Sequence, residues 1–249
     1  MTASPTSSPS SPNEQSEHPR PLSPFQPFPP SPFHPLFPLY LDLTTWPRRD
    51  HFHFFRQFDE PFFGLTVRVD ATDAYRHCRA GGHSFFLYYL HACLRAVNAT
   101  AAFRYRVEGE RVRVYERIHA SATINREDGS FDFSLIPYAE RFEDFRAGAQ
   151  VEIDRIRSTT GLNVGVAGPD VIHFSAVPWL DFTGLSHARN YRFPDSAPKI
   201  SVGKLTEGSD GRLTMPVSIH GHHALMDGRE VGEFVRAFGA ALTLADGAA

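Results

Sequence analysis

Several things are scarce in this chain of 249 residues, and each scarcity excludes something. Cysteine occurs twice, as Cys78 and Cys93, both within helical apolar patterns. A lone pair makes no disulfide framework, so both read as free packing thiols of a reducing compartment. Lysine also occurs only at Lys199 and Lys204, so any role that needs an ammonium has two candidates. The sequence offers no apolar run of the roughly twenty residues that a membrane helix needs, and no uninterrupted apolar core for a signal peptide. A net charge of −3 speaks against nucleic acid or a membrane surface as partner. A cytoplasmic globular protein is the expectation, with room for one large domain or two small ones.

Proline is abundant but unevenly spread. Twelve of the twenty fall in residues 1–38, interleaved with serine and, from Phe25 to Phe37, with phenylalanine. Neither helical nor strand periodicity is present there, so 1–38 is expected to be a disordered or polyproline-II-like extension. The folded part is expected over 39–245, with 246–249 as a short tail.

Within that part, Phe63 to Val69 reads as a strand, closed by Asp70, with Thr72 capping a short helix that ends at Gly81-Gly82. Ser84 is expected to cap a longer apolar helix through Val97. Phe103–Val107 and Arg111–Tyr115, joined across Glu108-Gly109-Glu110, predict a hairpin whose arginines form a solvated face. Strands follow at Ala122–Asn125 and Phe131–Tyr138, then a helix over Arg141–Ser158 with Phe142, Phe145, Ile153 and Ile156 inward, then a loop over Gly161–Asp170. Strands and helices mix without strict alternation or internal repeat. The expected fold class is α/β (α+β), a two-layer sandwich with helices packed on one large mixed sheet, and not a doubly wound fold.

The chemistry concentrates in His222-His223-Ala224-Leu225-Met226-Asp227-Gly228, between a strand pattern at Met215–Ile219 and an amphipathic helix carrying Val231, Phe234, Val235, Phe238 and Leu242. Asp-Gly is turn chemistry, so His223 stands where a strand ends and can be aimed into a cleft. Three roles fit it: a general base, since imidazole exchanges a proton near neutrality; a hydrogen-bonded structural histidine; or a neighbour of a metal held by His220, His222 and Asp227. No further ligand cluster is evident, and no metal is expected.

This segment resembles the His-His-x-x-x-Asp-Gly motif of the chloramphenicol acetyltransferase family, which is related to motifs of the dihydrolipoyl acyltransferases and other CoA-dependent acyltransferases. Trp46-Pro47-Arg48-Arg49-Asp50-His51-Phe52 resembles that family's opening, and Ser175-Ala176-Val177-Pro178-Trp179 its Ser-Ala-x-Pro-Trp segment. Ala197 to Lys204 is similar to the strand before its catalytic hairpin. The resemblance implies a CoA-dependent acyltransferase fold and transfer of acetyl from acetyl-CoA to a hydroxyl of chloramphenicol, an antibiotic-inactivating reaction. It implies direct attack, with His223 as base, Ser175 as oxyanion donor and no acyl-enzyme.

The same resemblance assigns supporting roles. Arg48 and Asp227 would form a structural ion pair, whose loss strands a buried charge at about 3–5 kcal/mol. Phe55, Phe63, Phe131 and Leu162 would line the acceptor site, Phe55 in place of a tyrosine. Ser201, through a bound water, Lys204 and Trp179 would serve the CoA side; a further family lysine near Ser84 has no counterpart. A homotrimer with active sites between subunits is implied. Three alternatives remain: the same fold with another acceptor or acyl group; a dihydrolipoyl acyltransferase catalytic domain, which would carry a lipoyl region upstream; and a non-catalytic binding protein using the Phe/Pro tail.

Overall fold

The computed structural model describes residue 1 and residues 39–165, 167–191, 193 and 195–243. Apart from residue 1, the extension expected at 1–38 and the tail at 246–249 lie outside the described residues. The elements in chain order are β1 (Leu39–Tyr40), α1 (Arg49–Phe55), β2 (Phe62–Asp70), α2 (Thr72–Gly81), α3 (Phe85–Ala99), β3 (Tyr105–Glu108), β4 (Arg111–Val114), β5 (His119–Asn125) and β6 (Phe131–Phe133). They continue with α4 (Phe142–Arg157), β7 (Val171–Ala176), β8 (Lys199–Val202), β9 (Thr206–Glu207), β10 (Leu213–His222) and α5 (Gly228–Thr243).

The large sheet runs in the order β2-β10-β8-β7-β5-β6, with β9 added to β10. β5, β7 and β8 are mutually parallel, while β10 and β6 run against their neighbours, so the sheet is mixed as expected. Alternate strand residues point inward: Ile172 and Phe174 of β7, Ile200 and Val202 of β8, Val217 and Ile219 of β10. They meet the apolar stripes of α3 and α5, so the periods of 2 and 3.6 coincide in one core.

The opposite face of the sheet is polar. Thr66, Ser218, Ser201 and Ser175 face one another across four strands in register, and the Thr123 hydroxyl of β5 lies 3.5 Å from that of Ser175. The adjacent row is Gly64, His220, Lys199, His173 and Ser121. Lys199 is buried and bonded to Asp195 and to the Ala197 carbonyl, which removes one of the two lysine candidates from chemistry.

Some local expectations change. The hairpin arginines are not all solvated: Arg106 is 3% exposed and donates to the carbonyls of Phe103, Tyr105, Pro169 and Val171. Backbone oxygens left over where strands end supply those acceptors, a tertiary fact that alternation cannot reveal. Thr72 does not cap α2; it is the first helical residue, and the Asp70 carboxylate receives both its N–H (2.9 Å) and its hydroxyl (2.6 Å). The strand expected over Phe131–Tyr138 stops at Phe133, and Ala101–Arg104 is a 3₁₀ turn ahead of β3. Ser84 does cap α3, accepting from Leu87 N–H.

A satellite core positions the site. Phe52 of α1, Val112 of β4, and Ala224 and Leu225 from the turn after β10 bury one another, with Trp46 and Phe55 packed alongside. The chain's opening and its closing hairpin are thereby clamped together. Cys78 and Cys93 are both buried free thiols, and burial pushes the Cys78 thiol up to about 11 and Cys93 higher still.

Candidate active site

β10 delivers His223 to one end of the sheet. Its N–H donates to the Pro61 carbonyl (2.7 Å), and Leu225 N–H and Met226 N–H turn back onto the His222 carbonyl. Gly221 makes this turn possible, because a Cβ there would overlap the Met226 side chain. The imidazole is stacked on Phe55, with centroids 4.0 Å apart and planes at 20°, and tilted against Phe63 at 4.7 Å. Its Nδ1 lies 3.2 Å from the Met226 carbonyl oxygen. A carbonyl can only accept, so Nδ1 carries the proton in the neutral ring and Nε2 keeps the free lone pair. His220 packs edge-on to His187 and His222 to Phe62, so the neighbouring histidines have apolar and aromatic company.

Asp227 and Arg48 hold this turn from below. Arg48 donates through one guanidinium nitrogen to Asp227 and through the other to the His223 carbonyl at 3.0 Å. Asp227 also caps α5: its Oδ1 accepts Arg229 N–H (2.8 Å), and the Glu230 carboxylate accepts Asp227 N–H (2.8 Å), a reciprocal capping box. Those bonds, with the Arg229 amide first, hold the Asp227 carboxyl below its ordinary range. The buried-charge cost expected from sequence needs correction, because the Asp227 side chain is 40% exposed and the Arg48 side chain 15%. Water recovers part of whatever the pair loses.

Ser175 stands elsewhere. It lies near the C-terminal end of β7, in register with Ser201 and, through it, with Ser218 of β10. His223 follows Ser218 by five residues in the opposite direction, and β10 is two strands from β7. At about 3.3 Å per residue and about 4.8 Å per strand spacing, the two lie on the order of 15–20 Å apart within one chain. A Ser/His/Asp triad is therefore not assembled among the described residues.

The remaining candidates divide between these two ends. Phe55 and Phe63 are beside His223. Phe131 opens the edge strand β6 opposite Asn125, and Leu162 precedes Asn163, whose N–H bonds Asp132 of the same strand; both side chains are exposed. Trp179 is exposed beyond β7, Ser201 is buried with a hydroxyl that has no partner among the described residues, and Lys204 is exposed just past β8. A cavity of about 520 Å³ opens at this end, beyond the C-terminal ends of β5, β7 and β8; Thr123, Asn125, Ala176, Trp179 and Gly203 line it. A crevice at the carboxyl ends of parallel strands is a common place for ligands.

Sequence reasoning missed Thr123 and Pro61, which meet their partners through tertiary contact, and the Met226 carbonyl, which meets His223 within the same turn. It also missed the capping box, although Asp227-x-x-Glu230 spells it. Among the described residues no group of three potential ligands could hold a metal ion, and no helix is long and apolar enough to cross a membrane.

Comparison with known proteins identifies the family. Residues 38–238 match the family model described as chloramphenicol acetyltransferase. A chloramphenicol acetyltransferase of Streptomyces acrimycini is 30% identical over 191 residues, 76% of this chain and 86% of that protein. A solved chloramphenicol acetyltransferase superposes with a TM-score of 0.76 at 31% identity, covering 83% of this chain and all of the other. A probable dihydrolipoamide acetyltransferase of Listeria monocytogenes shares the fold, with a TM-score of 0.62 at 16% identity over 80% of this chain and 92% of its own. These matches establish that the chain belongs to the chloramphenicol acetyltransferase family of acyl-transferring enzymes.

Proposed function

We propose that this enzyme transfers the acetyl group of acetyl-CoA to a hydroxyl of chloramphenicol, with His223 as general base. The observation that carries this reading is the fixation of the imidazole, with Nδ1 against a main-chain carbonyl, one face on Phe55 and Nε2 left to accept. The acceptor hydroxyl gives its proton to Nε2 while its oxygen bonds to the thioester carbon. The carbonyl oxygen becomes an oxyanion, which the Ser175 hydroxyl stabilises by donation, with Ser201 assisting through a bound water. When the C–S bond breaks, the sulfur leaves with the electron pair and takes the proton back from His223, leaving acetyl ester and CoA thiol.

The separation of His223 from Ser175 supports a homotrimer in which the base of one subunit works with the oxyanion donor of its neighbour. Phe55 and Phe63 would then meet the acceptor from the base's side, and Phe131 and Leu162 from the neighbour's. Arg48 and Asp227 act as positioning residues for the turn, while Trp179 and Lys204 flank the acyl-CoA cavity.

The test combines thiol release from acetyl-CoA, with and without chloramphenicol, with subunit mixing. His223→Ala and Ser175→Ala should each lose activity, by about 10²-fold or more, and co-refolding the two should restore part of it. Mixed trimers that stay inactive would sink the shared site. CoA binding without chloramphenicol-dependent release would keep the acyltransferase chemistry and move the acceptor elsewhere, a possibility that Phe55 motivates because it offers no hydroxyl.

A further inference from the structure

Two hydroxyls on the polar face of the large sheet are out of keeping with their surroundings. Ser201 of β8 and Ser218 of β10 are fully buried, and neither hydroxyl has a hydrogen-bond partner among the described residues. The two serines stand directly opposite one another in the antiparallel ladder, with Ser175 of β7 next in the same row. That row begins at Thr66 on the edge strand and ends at Thr123, whose hydroxyl lies 3.5 Å from that of Ser175.

A buried hydroxyl left unpaired costs about 1–3 kcal/mol, and alanine would fill either place without it. On the reverse side of the same strands the chain does place apolar residues, Val217 and Ile219 around Ser218, and Ile200 and Val202 around Ser201. Neither serine has exposed surface, so the partner is a protein group. Along its own strand Ser201 is flanked on this face by Lys199, which is engaged with Asp195 and the Ala197 carbonyl, and by Gly203, which has no side chain. Ser218 is flanked by Pro216, whose ring neither donates nor accepts, and by His220. Directly opposed residues have Cβ atoms about 4.5–5.5 Å apart, and rotation about χ1 alone brings two serine oxygens into hydrogen-bond range across such a gap.

A serine hydroxyl donates one proton and also accepts. With Ser218 as donor, the Ser201 oxygen is held from behind and its own O–H stays free for the side of Ser175, where the oxyanion forms. A hydrogen bond accepted by a hydroxyl also strengthens the one it donates. We infer that Ser218 is a positioning residue for acetyl transfer, donating to Ser201 and so aiming the Ser201 hydroxyl at the reacting centre. This rests on the roles given to Ser175 and Ser201 above, and it carries the chemistry one strand further than the sequence motifs reach.

Thiol release by the full-length protein, with acetyl-CoA and chloramphenicol varied separately, tests it in Ser218→Ala, Ser201→Ala and the double variant. Ser218→Ala should lower kcat by about three- to tenfold, the size of one lost neutral hydrogen bond, with both KM values within about twofold of native. In the Ser201→Ala background the same change should do nothing further, since Ser218 acts through that hydroxyl. A crystal structure of the native protein should show the two oxygens within about 3 Å of each other. Unchanged kcat in Ser218→Ala overturns the inference while leaving the acyltransferase reading intact. Effects of the two substitutions that simply multiply overturn it as well, and would give the Ser218 proton to Nδ1 of His220, another unpartnered atom on that face. A rise of both KM values along with the loss of kcat also overturns it, by showing a general loosening of the sheet. A native protein that releases no thiol overturns both.

Discussion

Replacing Asp227 by asparagine and by alanine separates two tasks that one carboxylate performs. Its Oδ1 caps α5 and its other oxygen receives Arg48. Asparagine is as good an N-cap as aspartate, so Asp227→Asn keeps the cap and turns an amide donor, or at best a neutral oxygen, toward the guanidinium. A hydrogen bond between charged groups is worth about 1.5–3 kcal/mol, and the 40% exposure of Asp227 discounts it, so about 1–2 kcal/mol is expected. Glu230, 3.9 Å from Arg48, softens the loss further. Asp227→Ala forfeits the cap too, adding about 1 kcal/mol. Urea unfolding at fixed protein concentration should show the midpoint falling from native to Asn to Ala with the slope unchanged. Because the guanidinium that Asp227 anchors also donates to the His223 carbonyl, loosening it loosens the histidine turn, so kcat should fall in both variants with KM little altered. Equal midpoints for Asn and Ala would remove the cap from the account. An Asp227→Asn enzyme with native midpoint and native kcat would refute the latch itself.

Three further perturbations follow from the same structure. Burial holds His222 and His173 near a pKa of about 4, against about 6.5 in an unfolded chain, so the unfolded state takes up protons first; stability is full above about pH 6.5 and drains as pH falls toward 4. At His222, which is 5% exposed, the effect is on the order of 3 kcal/mol, with nearby Arg189 and Lys199 opposing protonation and Asp195 and Glu60 favouring it; a urea midpoint flat from pH 7 to 4.5 would contradict this. Arg106→Met should destabilise by about 3–5 kcal/mol, since four carbonyls, those of Phe103 and Val171 in fully buried bonds, lose their donor; a variant within roughly 1 kcal/mol of native would mean water replaces the guanidinium. Gly221→Ala forces Met226 aside and should cost about 1–3 kcal/mol together with activity, read by unfolding and by thiol release; unaltered kcat would show the turn to be more compliant than drawn.

Much of this architecture is written in local pattern. The stripe Val231, Phe234, Phe238, Leu242 declares α5, the capped apolar run after Ser84 declares α3, and alternation through Met215–Ile219 declares the inner half of β10. His223, Asp227 and Arg48 were legible through motif likeness, because a tight turn and a paired charge need particular residues at particular spacings. What pattern could not supply is everything set by register. That Ser201 and Ser218 stand beside Ser175, that Arg106 turns inward, and that His223 and Ser175 occupy opposite ends of the sheet depend on which strands pair and in which direction. Strand order is a non-local property, so residues with the same local signature, a serine on an alternating strand, diverge in role.

The bond between Arg48 and Asp227 spans 179 positions of chain, which gives the enzyme a timetable. At about 5–20 residues per second, a ribosome needs on the order of 10–35 s to make the second partner after the first. Through that interval the arginine and the aromatic residues around it wait on a nascent chain whose sheet lacks β10, the strand that joins β2 to β8. The most exposed moment in the protein's life therefore falls late in synthesis. A premature stop just before His223 would release a product with most of the inner core residues in place but without the histidine turn or its latch, a species for proteases and chaperones to clear.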